Sequence, residues 1–191
     1  MEGVYLFIIF ASIVVAVLYS NRRILKPLTE VLDEEQAEVK GILNPRIEGH
    51  FHGREVRLVL DQGRRPETLR MEFFTGKSWQ LEVKKRTIWT ALEEQVRPSS
   101  HTATHESEFD SRFAIFSFPS KQFAAWLVKP EVKASIEELF DRDDIKQIEH
   151  GEQSLKATFE FYLSRKCSPA RVRPVLELMT RLLQSLESNI R

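Results

Sequence analysis

Hydrophobic positions along the chain fall into three regimes. Gly3 to Asn21 reads GVYLFIIFASIVVAVLYSN, with no charged side chain between Glu2 and Arg22. As a helix this window reaches roughly 28 Å, close to the ~30 Å hydrocarbon core of a bilayer. Tyr5 and Tyr19 fall near its ends, where amphipathic aromatic rings favour the interface. Residues 1–21 therefore read as a transmembrane anchor that contacts the lipid bilayer through 3–21. A cleaved signal peptide fits less well: no Lys or Arg precedes the apolar run, and no small-x-small site follows it.

The second regime is polar. Arg22, Arg23, Lys26 and Pro27 follow the window, then TEVLDEEQAEVK from Thr29 to Lys40 with few apolar positions. Thr29 as a cap, early carboxylates and Gly41 as a stop predict a solvated spacer helix. Residues 22–45 are thus expected to be a basic cluster plus spacer, ahead of a globular domain over 46–191.

The third regime alternates. Val56, Leu58 and Leu60, then Leu69, Met71 and Phe73, then Trp79, Leu81 and Val83 recur at period two with polar partners, as antiparallel strands with one wet face do. Thr75–Ser78 reads as a hairpin turn between two of them, and the polar run 97–108 as an exposed loop. Phe113 to Phe118 is apolar on both alternating sets and is expected to be central. Short helices carrying Phe123, Trp126 and Leu127, and Val132, Ile136, Leu139 and Phe140, come next. Two strands paired through His150-Gly151-Glu152 follow; Leu155, Ala157, Phe159, Phe161 and Leu163 form the buried face of the second, and Lys156 points to solvent. Ser168-Pro169 marks a helix start, Val172 to Leu186 has helical three-four spacing, and Pro174 inside that run offers a start nearer Arg173 as the alternative. The fold class is α+β: an N-terminal transmembrane helix, then one domain with an antiparallel sheet and helices packed on one face.

Composition narrows the function classes. The 191 residues carry 28 Lys+Arg and 28 Asp+Glu, so the chain lacks the basic excess of a nucleic-acid binder. One Cys excludes an intramolecular disulfide framework. The Thr75–Ser78 sequence TGKS ends like a phosphate-binding loop, but Met71 stands where that loop needs its first glycine. Asp141–Asp144 begins like a calcium loop, yet Lys146 occupies its glycine position. No G-x-S-x-G or G-x-G-x-x-G occurs. The histidines are the best candidates for chemistry: His50 and His52 on a strand, His101 and His105 beside Glu106 on a loop, two pairs that could converge on a metal.

GHFHGREV, Gly49 to Val56, resembles the G-x-x-x-G-R-x-V opening hairpin of an uncharacterised group of bacterial single-pass membrane-tethered α+β domains. In THESEFDSRF, Phe109, Asp110 and Phe113 match that group's F-D-x-x-F segment, while His105 and Glu106 replace its usual Gly-Asp. KPEVKASIEEL is similar to the helix that follows. The resemblance spans roughly Gly49 to Glu187 and implies no catalytic residue, because the group has no assigned activity. Asp110 reads as a strand-start residue paired with a backbone amide or Arg112.

The sequence thus points to an interaction or scaffolding domain held at the membrane, with no catalytic, cofactor-binding or metal residue assigned and no nucleic-acid partner. A membrane-tethered metal-dependent hydrolase built on His50/His52 and His101/His105 is the alternative. Arg22, Arg23 and Lys26 follow the anchor and no Lys or Arg precedes it, so the positive-inside rule places the domain in the cytoplasm.

Overall fold

Alternating apolar residues need a surface to bury against, and the computed structural model shows what supplies it. It describes residues 2–33, 37–41, 44–61, 67–76, 79–118, 120–142, 145–161 and 167–189. Helix α1 (Glu2–Leu25) runs into a 3-10 turn (Lys26–Val31). Strands β1 (Val39–Lys40), β2 (Arg46–Phe51), β3 (Arg54–Asp61), β4 (Glu67–Phe74) and β5 (Gln80–Lys85) follow, then α2 (Ile88–Val96) and α3 (Ser107–Arg112). The chain continues through β6 (Phe113–Phe118), α4 (Ser120–Leu127), α5 (Pro130–Asp141), β7 (Ile145–Gly151), β8 (Ser154–Phe161) and α6 (Pro169–Asn189). All strands form one antiparallel eight-stranded sheet in the order β1-β2-β3-β4-β8-β7-β5-β6.

One face of the sheet is apolar. Leu58, Leu60, Leu69, Met71, Phe73, Val83, Ala157, Phe159 and Phe161 join Phe123, Leu139, Phe140, Val175, Leu176 and Leu183 of the helices in a single buried cluster. Leu163, the expected last member of the β8 face, lies outside the described residues. The other face holds paired charges: Glu48 with Arg46 and Arg57, Glu72 with Arg57 and Arg70, and Lys84 with Glu82. Burial disfavours the Glu48 carboxylate, but Arg46 and Arg57 outweigh it and hold its pKa below the usual range.

Four sequence expectations need correction. Among the described residues of Thr29–Lys40 no α-helix forms, and 34–36 lie outside them. The 3-10 turn and Leu32 instead fold onto α6, burying Leu25, Leu28, Val31 and Leu32 in the domain core, and Val39–Lys40 pairs with β2. Asp33 pins this segment by donating its N–H to the His50 carbonyl at 2.8 Å and accepting from the Gly53 N–H at 3.3 Å. The folded body thus reaches back to Leu25 rather than starting at residue 46. Tertiary burial overrode a weak local helix signal.

Second, Thr75–Ser78 does not close a hairpin. β4 pairs over eight residues with β8, while β5 pairs with β6 and β7, so the β7–β8 hairpin is inserted between β4 and β5. Lys77 and Ser78 lie outside the described residues. Third, β6 is an edge strand. Phe113 and Ile115 face the core, whereas Ala114 and Phe116 are buried on the opposite face, where Arg97 of the segment after α2 stacks on Phe116. The edge is closed by the 97–108 segment: Ser117 N–H donates to Ser100 O at 2.7 Å and Thr102 N–H to Ile115 O at 2.9 Å, and Thr102 and Thr104 are buried. This run is therefore a strap over the sheet edge, which removes exposed strand groups.

Fourth, α6 starts at Pro169, as Ser168-Pro169 signals, and not at the alternative nearer Arg173. Proline suits the first helical position, and Pro174 costs one ladder bond while Val172, Val175 and Leu176 are buried around it.

Candidate functional site

Asp110 shows how locally placed polar groups can be structural. It sits in α3, not at a strand start. Its carboxylate accepts the Thr104 hydroxyl at 2.7 Å and the Thr104 and His105 backbone N–H groups at 3.0 Å each. Those bonds hold His105 in the left-handed region, φ 62°, and tie the edge strap to α3. Arg112 instead pairs with Glu137 and Asp141 of α5. Asp110→Ala should lower unfolding free energy by about 2–3 kcal/mol, the cost of stranding charge-assisted donors. Asp110→Asn, which keeps one acceptor oxygen, should recover part of that loss in urea titrations.

The histidine pairs do not converge. His50 lies on β2 and His52 in the β2–β3 turn with φ 52°, so they do not share a strand face. His101 bridges to Phe116 beyond β6, at the other edge of the sheet. Six or seven strand spacings of ~4.8 Å separate the pairs by roughly 30 Å. His101 Nε2 lies 3.5 Å from a Glu94 oxygen, and Glu106 pairs with the buried Lys133. Among the described residues no group of three or more His, Cys, Asp or Glu could hold a metal. The metal-hydrolase reading required convergence, and the fold separates the ligands. Asp143 and Asp144 of the calcium-like run lie outside the described residues.

The fifth histidine is built into the frame. His150, on β7, is buried; Nδ1 lies 3.0 Å from the Trp79 carbonyl and Nε2 3.1 Å from the Thr75 hydroxyl. It fastens the β4–β5 crossover to the β7–β8 hairpin. Burial pushes its pKa below the ordinary imidazole value, the bond to Trp79 opposes that, and the charge of Lys156 adds to it. The unfolded chain then takes up this proton first. Stability from this site is complete above the ordinary value near 6.5 and is lost as pH falls toward the folded value. Melting temperature should drop on acidification below pH ~6.5, and His150→Phe should flatten that part of the profile.

A cleft of about 330 Å³ opens on the charged face, lined by Glu82, Arg97, Phe116, Phe118, Glu149 and Lys156 among others. Its charges are already engaged with one another. Gln147 Nε2 donates to Glu82 at 2.9 Å and to Glu149 at 2.8 Å, Lys156 pairs with Glu152, and Arg97 lies 2.8 Å from Glu93. Such a set binds its own members more readily than it polarises a substrate. Cys167 offers no nucleophile either, since burial pushes its thiol pKa up to about 12.

Beside the cleft lies α2, which sequence patterning left unassigned. Thr87 and Thr90 cap it reciprocally: Thr90 N–H donates to the Thr87 hydroxyl at 3.2 Å, and Thr87 N–H to the Thr90 hydroxyl at 2.7 Å. The helix is inverted. Its polar side meets the sheet, with Glu93 on Lys84 and Arg97, and Glu94 on Arg86. Burial works against the Glu93 carboxylate, yet Lys84 and Arg97 hold its pKa below the usual range. Burial likewise works against the Lys84 ammonium, but Glu82 and Glu93 keep its pKa raised. Its apolar side faces outward: Ile88, Trp89 and Val96 are 79–81% exposed and Leu92 47%. The signal was present in Thr87-x-x-Thr90 and in the 88, 89, 92, 96 spacing, but it implies burial that this chain alone does not provide. No family model matches the chain and no curated protein matches it, so the functional reading rests on this geometry.

Proposed function

We propose that this chain is a single-pass membrane protein whose α+β domain is a non-enzymatic docking module on the cytoplasmic side. The observation that carries the reading is α1. It is long and apolar enough to cross a membrane, none of its apolar window is buried against the rest of the chain, and it runs straight into a turn whose Leu28 and Val31 belong to the domain core. An exposed apolar helix of that length would aggregate in water but is matched by a bilayer. With the anchor built into the core, the domain stays close to the lipid surface. Mutually paired charges in the cleft and the inverted α2 support docking over catalysis.

Orientation follows from Arg22, Arg23 and Lys26 at the domain end of the anchor. In a Gram-negative host, fusions after Arg191 to a periplasm-dependent phosphatase and to a cytoplasm-dependent fluorescent protein test it. Fluorescence without phosphatase activity is expected. The reverse pattern places the domain across the membrane and overturns the orientation.

A further inference from the structure

We infer that the outward face of α2 is a self-association surface, taken by α2 of a second copy in an antiparallel, two-fold arrangement. Ile88, Trp89, Leu92 and Val96 form a stripe centred on Leu92. A two-fold axis at Leu92 brings each Leu92 against its partner's and sets Ile88 and Trp89 of one copy over Val96 of the other. Bulky residues then meet a small one, the self-complementarity that an isologous contact requires.

Area and charge both favour this occupant. The stripe presents on the order of 500 Å² of apolar surface, since an aromatic side chain alone offers about 150–250 Å². That is in the upper part of the range for the largest patch on an ordinary monomer, about 300–600 Å². Adding rim residues such as Gln95 brings it near the ~600 Å² per partner at which stable interfaces begin. The face also carries no charge, because Glu93 and Glu94 are turned inward onto Lys84, Arg97 and Arg86. Anionic headgroups or a charged peptide find nothing to pair with there, whereas two neutral stripes meet without repulsion. The inference rests on the docking reading above, and confinement by α1 would raise the effective concentration of copies.

The test uses the full chain. In mild detergent, light scattering should give the mass of a dimer at micromolar protein. Trp89→Glu combined with Leu92→Glu should give a folded monomer with an unchanged circular-dichroism spectrum, and its melting temperature should no longer depend on protein concentration. In membranes, Leu92→Cys should form a disulfide-linked dimer under mild oxidation, because facing helices bring such positions within the 4.4–6.8 Å Cα range. The unsubstituted chain should not, its Cys167 being buried. A wild-type monomer that also fails to cross-link through Leu92→Cys overturns the inference. So does a dimer that survives both glutamates, which would locate association elsewhere, or a Trp89 emission shift caused by anionic vesicles in a monomeric chain, which would make lipid the occupant. Each of those leaves the membrane reading intact. Recovery of the full chain from the soluble fraction without detergent overturns that reading instead, and the mass measurements then decide self-association in buffer.

Discussion

A fragment that starts at Gly41 is expected to lose cooperative folding, whereas one that starts at Arg23 should melt in a single transition. The difference lies in Leu25, Leu28, Val31 and Leu32, all buried, and in β1 on the free edge of β2. Burying one such side chain contributes about 1.5–3 kcal/mol, so the removal of four withdraws roughly 6–12 kcal/mol. A domain's whole stability is about 5–15 kcal/mol. The cut also exposes the α6 surface against which the turn lies, which favours aggregation. Thermal denaturation followed by circular dichroism separates the outcomes: one sharp transition for the fragment from 23, a shallow slope for the fragment from 41. Equal transitions would show that the Lys26–Val31 turn is an accessory to the core.

The second large effect is at Phe161, the last described residue of β8. It is 2% exposed within the core cluster and sits near Phe159, ring centroids 6.3 Å apart. Phe161→Asp places a carboxylate where nothing pairs with it, at a cost of several kcal/mol on top of the lost apolar contacts, and should leave little folded protein. Lys156, expected from alternation to be a tolerant surface position, is not one. It stands between Glu72 on β4 and Glu149 on β7 and pairs with Glu152 at 3.2 Å. Lys156→Glu gathers four carboxylates, so a loss of about 1–3 kcal/mol is expected, against less than ~0.5 for an isolated surface change. Urea titration of both variants checks the ranking. A neutral Lys156→Glu would mean that the charged face is fully solvated.

These two results also mark where the sequence is legible. β3, β4, β5 and β8 are readable because one face of each is buried and the other is polar, which imposes period two on Val56–Leu60, Leu69–Phe73, Leu81–Val83 and Leu155–Phe161. α5 and the body of α6 are readable because their apolar stripes face the sheet. Strand order is not readable from such patterns: nothing in Thr75–Gly76 says that β7 and β8 will enter between β4 and β5. β6 looks central because it is apolar on both sides, yet that pattern only demands two coverings, and α2 with the 97–102 strap provides the second. Leu25 to Leu32 misleads for the opposite reason. Four apolar residues near a run of carboxylates make a poor amphipathic helix, but a short 3-10 turn suffices to bury them against α6.

The candidate site was half legible. The histidines drew attention by residue type, and the fold spreads them to opposite edges of the sheet. α2 carried a cap and a stripe in plain sequence, but a stripe is normally read as pointing inward, and here Glu93, Glu94 and Arg97 occupy the inner side. Asp110 could be identified as a residue that accepts backbone amides, though not the strap that supplies them.

Liposomes carrying the full chain, washed at alkaline pH and floated on a density gradient, test most directly whether α1 anchors the domain in a membrane. The full chain should float with the lipid after the wash, and the fragment from Arg23 should stay at the bottom, folded. A full chain released by the wash would contradict the anchor.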